Sequence, residues 1–219
     1  MPDKINGPQS ASSTPLSIGA APPRRERADA VRNRRRILDA AAALFAEHGV
    51  EQVSMDAIAA AAGVGKGTLF RRFGDRSGLA VALLHERETE LQEAILSGPP
   101  PLGPGTADDP AEPAARAAAF TRAYLEYALA NLELVRASET ASPGARYRIG
   151  AYRFWARHLT VLLTEAGHAE PAAGVLAEAL LAPLAAEHVA ALRDAGHEPA
   201  EIADALAWQA ATVAASARG

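Results

Sequence analysis

From about residue 28 onward, apolar side chains recur at steps of three and four. Ile37, Leu38, Ala41, Leu44 and Phe45 form the first such stripe, and His48-Gly49 ends it as a helix C-cap would. Ser54 is placed to cap a short second helix over Met55–Ala62, with Ile58 inward, and Gly63 breaks it. A third helix follows at about 65–73, with Leu69, Phe70 and Phe73 available to face the first. Gly74 and Asp75 stop it, and Asp75 can cap a long helix over 76–96. Residues 97–113, SGPPPLGPGTADDPAEP, form a loop, because proline and glycine at this density prevent helix and ladder alike. The helical period then returns near 114–131, 132–139, 143–166, 171–195 and 199–217. Proline opens three of these, as its fixed φ suits a first turn, whereas Pro183 should kink or split the fourth. No period-two run reads as a strand and no repeat occurs, so the expected fold class is all-α.

Composition agrees. Hydrophobic residues make up 49% of the 219 residues but aromatics only 5%, so alanine carries much of the apolar content, which favours close-packed helices. No apolar run approaches the roughly 20 residues of a membrane span. Residues 1–27 read as a disordered tail, and 1–23 lack the basic-then-apolar order of a signal peptide. With no cysteine, disulfides and thiolate metal sites are excluded. The expectation is a cytoplasmic protein without membrane contact. The net charge of −4 is unevenly spread. Residues 24–76 hold 11 basic and 7 acidic side chains, and 77–219 hold 10 and 18. A basic front on an acidic back suits a polyanion-binding head on a body with another task.

The stretch AAAAGVGKGTLFRRFGD at 59–75 could cradle phosphate or read DNA. A P-loop needs glycine four residues before Gly-Lys-Ser/Thr, directly after a strand. Here the first position is Ala60, the residue after Lys66 is Gly67, and the run upstream is alanine-rich, so the phosphate-loop reading fails. Two short helices joined by Ala62-Gly63-Val64 instead make a helix-turn-helix, whose second helix enters the major groove. Gly65 and Gly67 would let backbone approach DNA, and Lys66, Thr68, Arg71 and Arg72 would bind phosphates and guanine edges.

Residues 34–84 closely resemble the DNA-binding domain of the TetR family of one-component transcriptional regulators. The resemblance rests on Ile37, Ala40-Ala41, Leu44-Phe45, Gly49, Ser54, Ile58-Ala59, Ala62-Gly63-Val64, Gly67-Thr68-Leu69-Phe70, Phe73 and Leu79. It implies a homodimer on double-stranded operator DNA, usually a repressor, released by a small-molecule effector bound in a C-terminal helical domain. The implied division is a DNA-binding domain at 28–78 and a ligand-binding and dimerisation domain at 79–219. Position by position, Ser54 matches a phosphate-binding hydroxyl, Lys66, Gly67 and Thr68 match base and backbone contacts, and Arg72 and Arg76 match phosphate contacts. Phe70 departs from the family's tyrosine and cannot donate that residue's bond to phosphate; Arg71 or Arg72 can substitute. Arg34 and Arg35, with Arg32, could touch the flanking backbone or minor groove.

In the body, 140–164 contains Arg146, Arg148, Arg153 and Arg157 and no acid between its ends. Tyr124, Tyr127, Tyr152, Trp155 and His158 are the candidate walls of an effector pocket, with an arginine for an anionic group. The alternative is that the aromatics fill the core and the arginines pair with Glu126, Glu133 and other acids. Leu180, Leu184 and Val189 on one terminal helix, and Leu206, Ala210 and Val213 on the next, are candidates for a four-helix dimer interface, unless those faces bury within one chain. The six histidines form no metal-binding spacing and no nucleophile elbow occurs, so neither metal, cofactor nor enzymatic activity is expected.

Overall fold

The computed structural model describes residues 24–140 and 142–218. The tail and signal-peptide readings for 1–23 therefore lie outside the described residues, whereas residues 24–27, expected in the tail, are helical. The backbone separates into two units, 1–35 and 36–219. The described part of the first is the opening stretch of α1 (Arg24–His48), where Arg32 and Asp29 pair one turn apart.

In the second unit, the rest of α1 is followed by a short 3-10 turn (Val50–Gln52), α2 (Met55–Ala62), α3 (Lys66–Phe73) and α4 (Arg76–Ser97). After the proline-rich loop come α5 (Pro113–Ala130), α6 (Leu132–Thr140), α7 (Ala145–Arg148), α8 (Gly150–Ala166), α9 (Glu170–Leu181), α10 (Ala186–Asp194) and α11 (Pro199–Ala215). Among the described residues there is no strand; a lone bridge between Gly105 and Pro110 pins the loop. The fold is all-α.

Two departures from the sequence pattern have local causes. The helix expected over 143–166 is broken at Ile149, whose extended backbone (φ −65°, ψ 132°) separates α7 from α8 while its side chain packs on the body core. Pro183 splits the next helix as expected, leaving α9, a 3-10 turn at Ala182–Leu184, and α10.

Two cores organise the second unit. Ile37, Leu38, Ala41 and Phe45 of α1 meet Ile58, Leu69, Phe73, Leu79 and Leu83 in the head. Phe120 and Leu125 of α5 meet Trp155, Leu159, Leu162 and Leu163 of α8 and inner residues of α9 and α11 in the body. The α4 helix serves both, placing Leu79 and Leu83 in the head and Leu91 and Ile95 in the body. A division at 78/79 thus falls in its first turn. From the body side, Leu134 of α6 also packs against the head core.

Candidate functional site

The turn between α2 and α3 is built from backbone bonds that its sequence permits. The Ser54 hydroxyl oxygen accepts from the Ala57 amide (3.1 Å), capping α2. At the other end Gly63 sits at φ 61°, ψ 40°, the left-handed region where a side chain is strained. There its amide donates to Ala60 (3.1 Å) and that of Val64 to Ala59 (3.0 Å). Arg36 of α1 donates to the last carbonyls of this corner, Ala62 (2.7 Å) and Gly63 (3.3 Å), fixing α1 against it.

One face of α3 is core: Leu69 is fully buried and Phe73 nearly so. The opposite face holds Gly65, Lys66, Gly67, Phe70, Arg71 and Arg72, all exposed, with Thr68 half-buried. A Cβ added at Gly65 or Gly67 would meet nothing within 4 Å, so these glycines leave the backbone open on the outer side. The expectation that Phe70 packs inward on α1 is corrected: it is 42% exposed, lying on the same face as Lys66, whose ammonium stands 5.9 Å from its ring centre. Helical geometry explains this, since Leu69 and Phe73 share the inner face at a four-residue step and Phe70 turns outward.

The sequence did not reveal that two of the proposed cations carry acid partners. Lys66 pairs with Asp56 of α2 (2.6 Å), across the tight turn. Arg76, at the start of α4, donates to both the carboxylate and the carbonyl of Glu51 (2.5 Å each). Both pairs are exposed enough for water to screen them, so each is worth about 0–1 kcal/mol. Arg34 and Arg35 lie on α1, half-buried and exposed respectively.

Residues 37–83 match the model of bacterial regulatory proteins of the tetR family. In this domain the chain belongs to the TetR family. The HTH-type transcriptional regulator SAUSA300_2515 of Staphylococcus aureus is 53% identical over 65 residues, which are 30% of this chain and 35% of that protein. A second S. aureus regulator, SAB2452, is 53% identical over 53 residues, 24% of this chain and 29% of its own length. The chain thus spans about a third of the length of the curated relatives it matches. Among solved structures, the TetR-like regulator LfrR of Mycobacterium smegmatis, in complex with proflavine, is 26% identical. It covers 86% of this chain and 97% of its own, at a TM-score of 0.54. The fatty acid degradation regulator FadR of Bacillus halodurans shares the fold at 18% identity and a TM-score of 0.58, covering 82% and 94%. The TetR-like fold therefore extends through the body, beyond the segment matched by sequence.

In that body, Tyr124, Tyr127, Tyr152 and Trp155 converge, as the pocket expectation required, on a cavity of about 20 Å³. Tyr124 meets Tyr127 and Trp155 nearly edge to face, at 5.8 and 6.1 Å. His158 does not join them. It lies buried behind Phe120, with ring centres 5.4 Å apart, and its Nε2 has no hydrogen-bond partner. Burial, and then the nearby Arg116 guanidinium, pull its pKa down to about 4, so the ring is neutral.

Arg146 does reach the cavity, but it is already engaged. It pairs with the buried Glu139 of α6 and donates to the Leu181 carbonyl (2.8 Å). Glu139 in turn accepts from the Ala186 amide at the start of α10 (2.8 Å), so one carboxylate ties α6, α7 and α10. Glu133 pairs with Arg136.

The expected dimer face needs a larger correction. Leu180, Leu184, Val189 and Ala210 are buried inside the single chain, and Leu206 and Val213 pack half-buried on the same core. The α11 helix turns these side chains toward the body core, leaving an opposite face with Trp208 71% exposed; α9 likewise leaves Val175 71% exposed. Both sides of these alanine-rich helices are apolar, so the period alone could not choose the inner one.

Proposed function

We propose that this chain is a cytoplasmic transcriptional regulator that binds double-stranded operator DNA as a homodimer and leaves it when a small-molecule effector occupies the body. The carrying observation is α3: two buried anchors on one side and an open row of Lys66, Gly67, Phe70, Arg71 and Arg72 on the other, entered through a rigid αL corner. That is the layout of a helix held by its back and presented to a major groove. Ser54, Arg34, Arg35 and Arg76 supply backbone contacts around it, and Gly65 and Thr68 border the open row. The curated relatives' shared label and the family match of the head support the reading. LfrR, which binds proflavine, supports a small-molecule effector, and repression is the family's usual sign.

Two heads on one palindrome are needed for useful affinity, because a single short reading helix buries little surface. The dimer contact assigned here uses the outward faces of α9 and α11, with Val175 and Trp208 at their apolar centres, in place of the six residues expected from sequence. Such faces on two chains would make a four-helix contact.

Selection of sites from random duplex DNA tests the reading. The expected result is a palindromic consensus with half-sites about one helical turn apart, 34–36 Å. Binding should weaken steeply with salt, and Lys66→Ala should cost about 1–3 kcal/mol and, if Lys66 meets a phosphate, flatten the salt slope by about one. No enrichment at low salt would end the proposal. Sedimentation of Trp208→Asp tests the dimer contact: an unchanged dimer refutes this interface.

A further inference from the structure

The charge balance around the aromatic cavity is the reverse of the sequence expectation, which reserved an arginine for an anion. Both arginines near it are taken, Arg146 by Glu139 and Arg87 by Glu90 and Asp39. The group left over is an acid. Glu88 of α4 points into the cavity wall, half-buried, and accepts one bond from the Tyr127 hydroxyl (3.2 Å). Among the described residues no arginine or lysine pairs with it, and the basic side chain whose field reaches it is His85 on the same helix. Burial accordingly raises its pKa above the usual carboxylate value. A phenol satisfies one lone pair but leaves the charge uncompensated.

The closed cavity, about 20 Å³, has room for a single water. Tyr127, however, lines it on one side and a cleft of about 500 Å³ on the other, which lies between α1, α4 and α5. That outer cleft is bordered by alanines and by Glu126 and the Glu90–Arg87 pair. Rotation of the Tyr127 side chain joins the two spaces into a site of drug-sized volume, with ring faces inside and acids along the way.

Resting on the effector-binding reading, we propose that this is the site of a flat organic monocation. Glu88 is its counter-charge, Tyr124, Tyr127 and Trp155 are its aromatic walls, and Tyr127 is the door. The chemistry is that of cation recognition in general: ring faces attract positive charge, and a carboxylate without a cation gains one. Entry breaks the Glu88–Tyr127 bond, which ties α4 to α5, so occupancy is felt on the helix that begins in the head at Arg76.

Two dyes of nearly the same shape test the sign of the charge: 10-methylacridinium, a permanent cation, and acridine, neutral in mildly alkaline buffer. Their binding to the full chain is followed by dye fluorescence. The cation is expected to bind at least about tenfold more tightly than the neutral dye. Glu88→Gln should lose about tenfold for the cation while leaving acridine unchanged, and Tyr127→Phe, which frees Glu88, should not weaken the cation. Glu88→Asp, which keeps the charge, should retain the preference, and circular dichroism checks that each variant is folded. Equal affinity for the two dyes, no loss in a folded Glu88→Gln, or no binding of either dye overturns the proposal. Operator binding measured on the same preparations separates the outcomes, because failed dye binding with intact DNA binding refutes this site alone.

Discussion

The head and the body handle charge in opposite ways. In the head, Lys66–Asp56 and Arg76–Glu51 lie at the surface, where water already solvates both partners and little is lost when they separate. In the body, Arg146–Glu139 is sealed, with side chains 10% and 8% exposed, and separating it leaves a charge in a poorly solvated place. The first kind of pair suits groups that must exchange a protein acid for a DNA phosphate. The second suits a joint that has to hold while something beside it moves. Whether an arginine or lysine is available to a ligand is therefore decided by the solvation of its partner, and only weakly by its presence.

The sharpest way to break this comparison is to delete one side of each pair. Glu139→Ala should lower the unfolding free energy by about 3–5 kcal/mol, because Arg146 is left buried and unpaired. Chemical denaturation followed by tryptophan fluorescence reads this; a loss below about 1 kcal/mol would place the pair with the surface ones.

A second difference concerns protons. His158 is neutral in the folded body, with a pKa near 4 against 6.5 when exposed. Above pH 6.5 neither state takes the proton and the group is silent. As pH falls from 6.5 toward 4, the unfolded chain binds a proton that the folded chain refuses, so stability is lost across that window. His158→Phe should remove this slope, its stability relative to the parent rising as pH falls, by up to a few kcal/mol at the acid end. Glu88 and Glu139, whose pKa values are raised, act with the opposite sign, so the difference between variant and parent is the quantity to follow. A flat difference between pH 6.5 and 4 would show that the ring is not held neutral.

The smallest effect is expected in the head. Asp56→Asn should change stability by less than about 1 kcal/mol, yet tighten operator binding several-fold by freeing Lys66 and removing an acid near phosphate. Equal affinity of variant and parent across a salt titration would mean that Asp56 does not compete with DNA.

The same contrast explains what could be read beforehand. The head was legible because its signals are local: Ser54, Gly63 and Asp75 are caps and corners whose reasons lie within a few residues. Its αL turn and its α2–α3 spacing follow from them directly. The body's architecture was legible at the level of helices, since prolines and the helical period mark their starts. Its chemistry was not. Glu88 meets Tyr127 across 39 positions and Glu139 meets Ala186 across 47, and nothing in either neighbourhood announces the partner. Ile149 hid inside an apolar stripe, because packing on the body core, and not propensity, sets its extended backbone. The inner faces of α9 and α11 were misread because alanine serves equally on either side.

Leu134 carries one more implication. Its side chain belongs to α6 in the body by sequence, but it completes the hydrophobic cluster of the head. Recombination between relatives is commonly imagined as the exchange of a reading head at a point along α4. In this chain such a transplant would leave a leucine-shaped vacancy beneath the graft, or force a foreign side chain into it. The portable unit is the head together with the docking turn of α6, and lineages that trade operators without inheriting that turn begin with a loosened joint.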